Sequence, residues 1–184
     1  MLVMGILNVT PDSFADGGQH FETQHAVSRG LEMIEEGVDI IDIGGESTRP
    51  GAERVSAEEE EARVLPVIKG LVKSGVTLSI DTMRASTAKL AVEAGASIVN
   101  DVSGGAADPD MFSTVASLGC KYTLMHWRGH SKDMNSKAIY DDVVSDVIEE
   151  VKIQLDKALA AGILRENIIL DPGIGFAKDA EHNW

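Results

Sequence analysis

The sequence predicts an α/β fold of parallel strands, of the (β/α)8 barrel kind, and three observations carry that reading. One unit recurs along the chain: an amphipathic segment, a glycine, then a short branched-apolar run ending in a polar residue. Strand and helix patterns alternate strictly, which demands parallel strands joined by helical crossovers. Polar residues stand at the C-terminal ends of the runs, at Asn8, Asp42, Asp81, Asn100 with Asp101, His126 and Asp171. A barrel gathers such ends at one mouth, whereas an open sheet spreads them along a ridge. No G-x-G-x-x-G joins the first strand to the first helix, which weakens the open dinucleotide-binding alternative.

Each element has its own local reason. The apolar run before Asn8 is the first strand. Helices then stop at Gly37, Gly75, Gly95, Gly119 and Gly162, and each glycine precedes a strand: VDIIDIGG, VTLSID, ASIVND, CKYTLMH and ILRENIILDPG. A glycine there accepts the left-handed turn that ends a helix. Ser56 with Glu59 reads as a capping box, and Asp108 with Pro109 as a cap followed by a first-turn proline. The acidic run Glu58 to Glu61 reads as a solvated first turn that complements the helix dipole. Six strands and five complete helices result, with a sixth helix beginning at about Ala177. The chain is thus expected to hold about six of the eight βα units, as one domain over residues 1–184 that stops before strands 7 and 8.

Bulk properties narrow the function. The 184 residues suit one domain with a real core, and 43% hydrophobic with 25% charged residues is ordinary for a soluble globular protein. Aromatic residues make up only 4%, so the core must come from Ile, Val, Leu and Ala, as in strands buried on both faces. Sixteen basic against thirty acidic residues give a net charge of −14, which repels phosphate backbones and argues against a nucleic-acid partner. The single cysteine, Cys120, excludes an internal disulfide and reads as core filling in a reducing compartment. The start MLVMGILNV lacks a basic leader, and no run reaches the roughly 18 apolar residues of a membrane span. A cytoplasmic protein with no membrane association is expected.

Carboxylates and amides at one mouth, with no nucleophilic Ser or Cys among them, point to recognition of a polar heterocycle. A carboxylate's two oxygens match paired N–H donors on such a ring. Met125 and Phe176, where the fifth and sixth strands end, are placed to flank a flat ring. Asp42 and Asp101 are assigned structural roles, since each has a neighbour able to take the ligand. The stretch Gly44 to Val55 supplies Ser47, Thr48 and Arg49, with glycine N–H groups, as an anion cradle. His126 and His130 lack a third ligand at zinc spacing. A hard cation held by Asn8 and loop oxygens fits better.

The blocks MGILNVTPDSFADGG, DIGGESTRPGA, LSIDT, IVNDVSGG, LMHWR and ILDPGIGFAK, in this order and spacing, resemble the successive strand-end signatures of dihydropteroate synthases. HWR and GFAKDAEHNW are most similar to the actinobacterial branch. The resemblance implies a barrel that joins 6-hydroxymethyl-7,8-dihydropterin diphosphate to p-aminobenzoate and releases pyrophosphate, in folate synthesis. It implies pterin contacts at Asp81, Asn100 and Asp171 with Met125 and Phe176 beside the ring. It places Mg2+ at Asn8, an aminobenzoate pocket at Phe14, Thr48 and Pro50 where sulfonamides compete, and an anion site at Arg49. Asp16, in a closing first loop, would stabilise the cationic pterin left when pyrophosphate departs.

Two departures from that pattern stand out. Ala15 replaces a serine found in many relatives. The Ser-x-Lys and Arg-x-His signatures of strands 7 and 8 are absent, as are the last helices, which commonly carry a homodimer interface. The expectation is therefore that residues 1–184 alone are inactive. Competing readings are a related pterin-binding methyltransferase barrel, disfavoured by the diphosphate-type loops, and a non-catalytic pterin-binding paralogue.

Overall fold

The computed structural model describes residues 1–10, 18–46, 54–130, 132 and 134–184. Six strands form one parallel sheet: β1 (Met4–Asn8), β2 (Ile40–Gly44), β3 (Thr77–Asp81), β4 (Ile98–Asp101), β5 (Lys121–Met125) and β6 (Ile168–Asp171). Spatial order follows chain order, and all five neighbouring pairs are parallel. Every crossover therefore steps one place in the same direction, the winding of a barrel wall, whereas a doubly wound sheet reverses midway. Among the described residues β1 and β6 are the two edges.

Five helices fill the crossovers: α1 (Gly18–Glu35), α2 (Ala57–Leu71), α3 (Ala85–Ala94), α4 (Met111–Leu118) and α5 (Val143–Ala160). The core lies between them and the outer face of the sheet. Leu7, Ile41, Ile43, Ile80, Val99, Tyr122 and Leu124 pack beneath Val64, Val67, Ile68, Leu71, Ala88, Ala91, Met111 and Val115. Each large side chain so buried contributes about 1.5–3 kcal/mol. Helices α1 and α2 cross closely through glycines, since a Cβ on Gly30 would lie 2.7 Å from Leu71 Cδ1 and one on Gly70 2.6 Å from Val27 Cγ2. No helix among the described residues is long and apolar enough to cross a membrane.

All five helix-ending glycines adopt positive φ, between 65° and 123°. Ser56 caps α2 by accepting from the Glu59 N–H at 3.2 Å. The return half of the capping box is replaced by an ion pair between Glu59 and Arg63 one turn on. Three expectations need correction. The run Glu58 to Glu61 is not uniformly solvated: Glu60 is buried and pairs with Arg84 at 2.5 Å and with the Thr87 hydroxyl at 3.1 Å. Asp108 and Pro109 lie ahead of α4, whose cap position is Asp110; one Asp108 oxygen accepts from Asp110 N–H while the other accepts from Ala85 N–H, at the first residue of α3, at 2.8 Å. Residues 177–184 form turns instead of a helix. There Asp179 caps one turn by accepting from His182 N–H at 3.0 Å, and Ala177 sits at φ 48°, outside the helical region.

Candidate functional site

The parallel register lines up Asn8, Gly44, Asp81 and Asn100 across β1 to β4. Residues paired in this way share a face of the sheet. That face points away from the helices, so the row lies on the inner side of the wall at its C-terminal rim. Gly44 leaves the row its space: a Cβ there would stand 3.4 Å from Asp81 Oδ2 and 3.5 Å from Asn8 Oδ1.

Two positions below Gly44 on the same face, Asp42 is buried and accepts from the Asn100 side-chain amide at 2.8 Å. Its other oxygen, Oδ1, has no hydrogen-bond partner, and neither has the buried Oγ of Ser79 beside it in register. Burial raises the Asp42 carboxyl above its ordinary value, and the neighbouring Ser79 hydroxyl and the Asn100 amide pull it partly back. Asp81 is driven well above the usual carboxylate range, first by loss of solvent and then by Asp42, Asp101, Glu60 and Glu46. Asp81 and Asn100 thus end neighbouring strands side by side on the inner face, with Asp42 buried one step deeper. Carboxylate and amide oxygens in such a row suit a ligand that brings N–H donors.

Asp171 ends β6 in register with Met125 at the end of β5. One Asp171 oxygen accepts from Gly173 N–H at 2.7 Å, which leaves one oxygen for other partners. Met125 is buried between two glycines that allow close approach: a Cβ on Gly104 would lie 2.4 Å from the Met125 carbonyl oxygen, and one on Gly173 2.7 Å from that of His126. Phe176 is half-buried in the turn after β6, its N–H donating to Gly173 O at 3.0 Å.

Asp101 has the structural role expected of it. It accepts from Ser103 N–H and Oγ, Gly105 N–H and the Tyr122 hydroxyl, all within 2.8 Å. Asp42, expected to be structural as well, is buried and holds the Asn100 amide at the edge of the site. The reason is register: two residues before Gly44 on β2 is the same face, one step deeper. Phe14, Asp16, Thr48, Arg49 and Pro50 lie outside the described residues, as does Ser47.

The described ends of the connection that carries Arg49 are tied together. Glu46 accepts from Arg54 Nε at 2.9 Å and from Arg84 at 2.8 Å, while Arg84 also donates to Glu60 and to the Val55 carbonyl. Nothing local in the sequence marks Arg84, because its partners are 38 and 24 positions away.

Among the described residues no three His, Cys, Asp or Glu side chains gather into a metal site. The oxygens of Asn8 and Asp81 on either side of Gly44 do provide hard donors, of the type that suits Mg2+ completed by ligand oxygens and water.

A parallel barrel wall with acids and amides along its C-terminal rim defines a ligand-binding α/β protein of the barrel class. Residues 4–184 match the family model described as pterin binding enzyme, and the chain belongs to that family. Two similar relatives are the dihydropteroate synthases of Mycobacterium leprae, 49% identical over 183 residues, and Bacillus subtilis, 52% identical over 183 residues. Each alignment covers 99% of this chain and 64% or 62% of the relative. A solved structure of the Xanthomonas albilineans dihydropteroate synthase with 4-aminobenzoic acid superimposes with a TM-score of 0.91 at 45% identity. It is matched over 99% of this chain and 64% of its own. The chain thus spans a little under two thirds of the length of these relatives.

Proposed function

We propose that the protein is a dihydropteroate synthase, condensing 6-hydroxymethyl-7,8-dihydropterin diphosphate with p-aminobenzoate to 7,8-dihydropteroate and pyrophosphate. The observation that carries this reading is the cluster of Asp81 and Asn100 at the C-terminal rim with Asp42 buried beneath them and holding the Asn100 amide. The pyrimidine edge of a pterin presents an amino group and a ring N–H, the donors this cluster lacks. The likeness to a synthase that carries 4-aminobenzoic acid supports the choice of second substrate.

In this reading Asp42 and Asp81 accept the ring donors, and the Asn100 amide oxygen is free to accept while its nitrogen holds Asp42. Asp171 takes a further donor of the ring. Met125 supplies an apolar floor, and Phe176 excludes water from one side. The carbon–oxygen bond to diphosphate breaks first and leaves a cationic pterin; the amine nitrogen of p-aminobenzoate then bonds to the methylene carbon, and the amine proton leaves to water. Arg49, with Ser47 and Thr48, would hold the departing diphosphate, Asp16 would face the cationic pterin, and Phe14, Thr48 and Pro50 would enclose the aryl ring. Asn8 would hold Mg2+, which when bound stabilises negative charge on the leaving oxygens. No side chain of the chain acts as nucleophile.

The test is condensation of labelled p-aminobenzoate with the pterin diphosphate, with and without magnesium. Labelled dihydropteroate formed only with magnesium supports the assignment. The same assay is run on residues 1–184 and on a longer chain that includes strands 7 and 8; a longer chain that folds and binds the pterin diphosphate yet forms no product contradicts the assignment and favours a non-catalytic pterin-binding paralogue.

A further inference from the structure

Lys178 lies outside every role assigned above, yet its ammonium has three partners. Nζ donates to the Gly173 carbonyl at 3.1 Å, to the Phe176 carbonyl at 3.2 Å and to His126 Nδ1 at 2.9 Å. A primary ammonium has three protons, and only the charged form can satisfy three acceptors at once. Two of these acceptors belong to the turn that carries Phe176, and the third belongs to the residue that follows β5.

The far side of that contact is fixed as well. Because His126 accepts at Nδ1, its ring proton is on Nε2 and is donated to Glu150 Oε2 at 2.9 Å. Glu150, from α5, is gripped by Arg128 through Nε at 3.1 Å and Nη2 at 2.5 Å. The Arg128 guanidinium stacks on Tyr140 at 3.8 Å, and the Tyr140 hydroxyl donates to the Ala177 carbonyl at 2.9 Å. The circuit therefore closes on the residue beside Lys178. Inside it sits Ala177 at φ 48°, a conformation costly for a residue with a Cβ and one that persists only where its surroundings hold it.

We propose that Lys178 is a positioning residue, whose ammonium staples the Gly173–Phe176 turn to the end of β5 and so fixes Phe176 at the ligand site. The proposal rests on the pterin reading above for what Phe176 touches. The geometry of the staple itself is independent of that reading. Without the ammonium, the turn keeps its own Phe176 N–H to Gly173 bond and its contacts to Asp171, Asn183 and Tyr140, but among the described residues nothing else ties the Phe176 carbonyl to the end of β5.

Among the described residues the charged and titratable groups around Lys178 are Arg128 and His126 after β5, Glu150 of α5, Asp171 at the end of β6 and His182 in the last turn. Burial, helped by Arg128, lowers the Lys178 pKa to about 8, against the opposing pull of Asp171 and Glu150. The staple should therefore loosen under mildly alkaline conditions, where the amine keeps only two donors.

The test follows the Phe176 amide, whose hydrogen bond to Gly173 lies within the stapled turn. Its hydrogen-exchange protection factor and the affinity for 6-hydroxymethylpterin are measured in the wild type and in Lys178→Met. Phe176 protection is expected to fall about tenfold and pterin affinity about fivefold, while protection in β2 to β4 is unchanged. Unchanged Phe176 protection in the folded variant overturns the staple, and lost protection with unchanged affinity overturns the positioning role. Should Lys178→Met fail to fold, the wild type decides: Phe176 protection must drop with a midpoint near pH 8, and a flat profile overturns the proposal. A wild type that binds no pterin sinks the pterin reading, and the exchange result still decides the staple.

Discussion

Asn100 donates its side-chain amide to Asp42 across 58 positions of sequence and across the whole width of β3, at 2.8 Å. The contact joins a residue that the sequence marks as ligand-binding to one that it marks as structural. It also orients the amide: with the nitrogen committed to Asp42, the oxygen is left to accept. In the proposed pterin site that oxygen stands beside Asp81, the register partner of Asn100.

Replacing Asp42 by asparagine separates stability from binding. The desolvated carboxylate is removed with little change in volume, so the variant should unfold at equal or higher urea concentration than the wild type. Affinity for 6-hydroxymethylpterin should fall by about 1.5–3 kcal/mol, the usual worth of a hydrogen bond to a charged group. Urea unfolding and calorimetry read the two effects independently.

Asp81 makes pterin affinity depend on pH. Its carboxyl is raised well above the ordinary value by burial and acidic neighbours. N–H donors favour the charged form, so binding must lower that pKa and release a proton. Affinity should therefore climb as pH rises from the ordinary carboxylate range through the raised folded value, and the climb should shrink in Asp81→Asn to the part that Asp42 carries. The same raised pKa contributes stability at acid pH that is lost as pH rises through the folded value, so Asp81→Asn should gain most in stability at neutral pH.

Among the described residues Arg84 is the cation that Glu46 and the deeply buried Glu60 share, Glu46 pairing with Arg54 as well. Arg84→Met leaves both acids without it and should destabilise the fold by about 3–5 kcal/mol in urea unfolding. Adding Glu60→Gln to that variant should recover part of the loss, because the uncompensated charge is then gone.

His126 sets an acid limit. Burial and the Lys178 ammonium depress its pKa below the ordinary histidine value, with Glu150 opposing them. A depressed base contributes stability above its unfolded pKa of about 6.5, and that stability is lost as pH falls through the lower folded value. The unfolding midpoint of the wild type should drop more steeply below about pH 6 than that of a His126→Gln variant.

The fold was legible because its signals are local. Each helix-ending glycine announces a turn that a side chain would strain, and each following apolar run has strand length. The polar strand ends were legible for the same reason, as single residues closing apolar runs. Long-range pairings were not. The tie of Asp42 to Asn100 depends on strand register. Glu60 looked solvated because its partner Arg84 arrives from a different crossover. The expected helix from Ala177 failed where tertiary hydrogen bonds from Lys178 and Tyr140 hold the chain in a turn.

The most direct measurement is calorimetric titration of the folded protein with 6-hydroxymethylpterin, repeated with Asp81→Asn and Asn100→Ala. One site per chain is expected, with affinity reduced at least about tenfold in each variant, as loss of a charged or amide acceptor predicts. No binding by the folded wild type, or binding that both substitutions leave intact, would contradict the assignment of this rim as the pterin site.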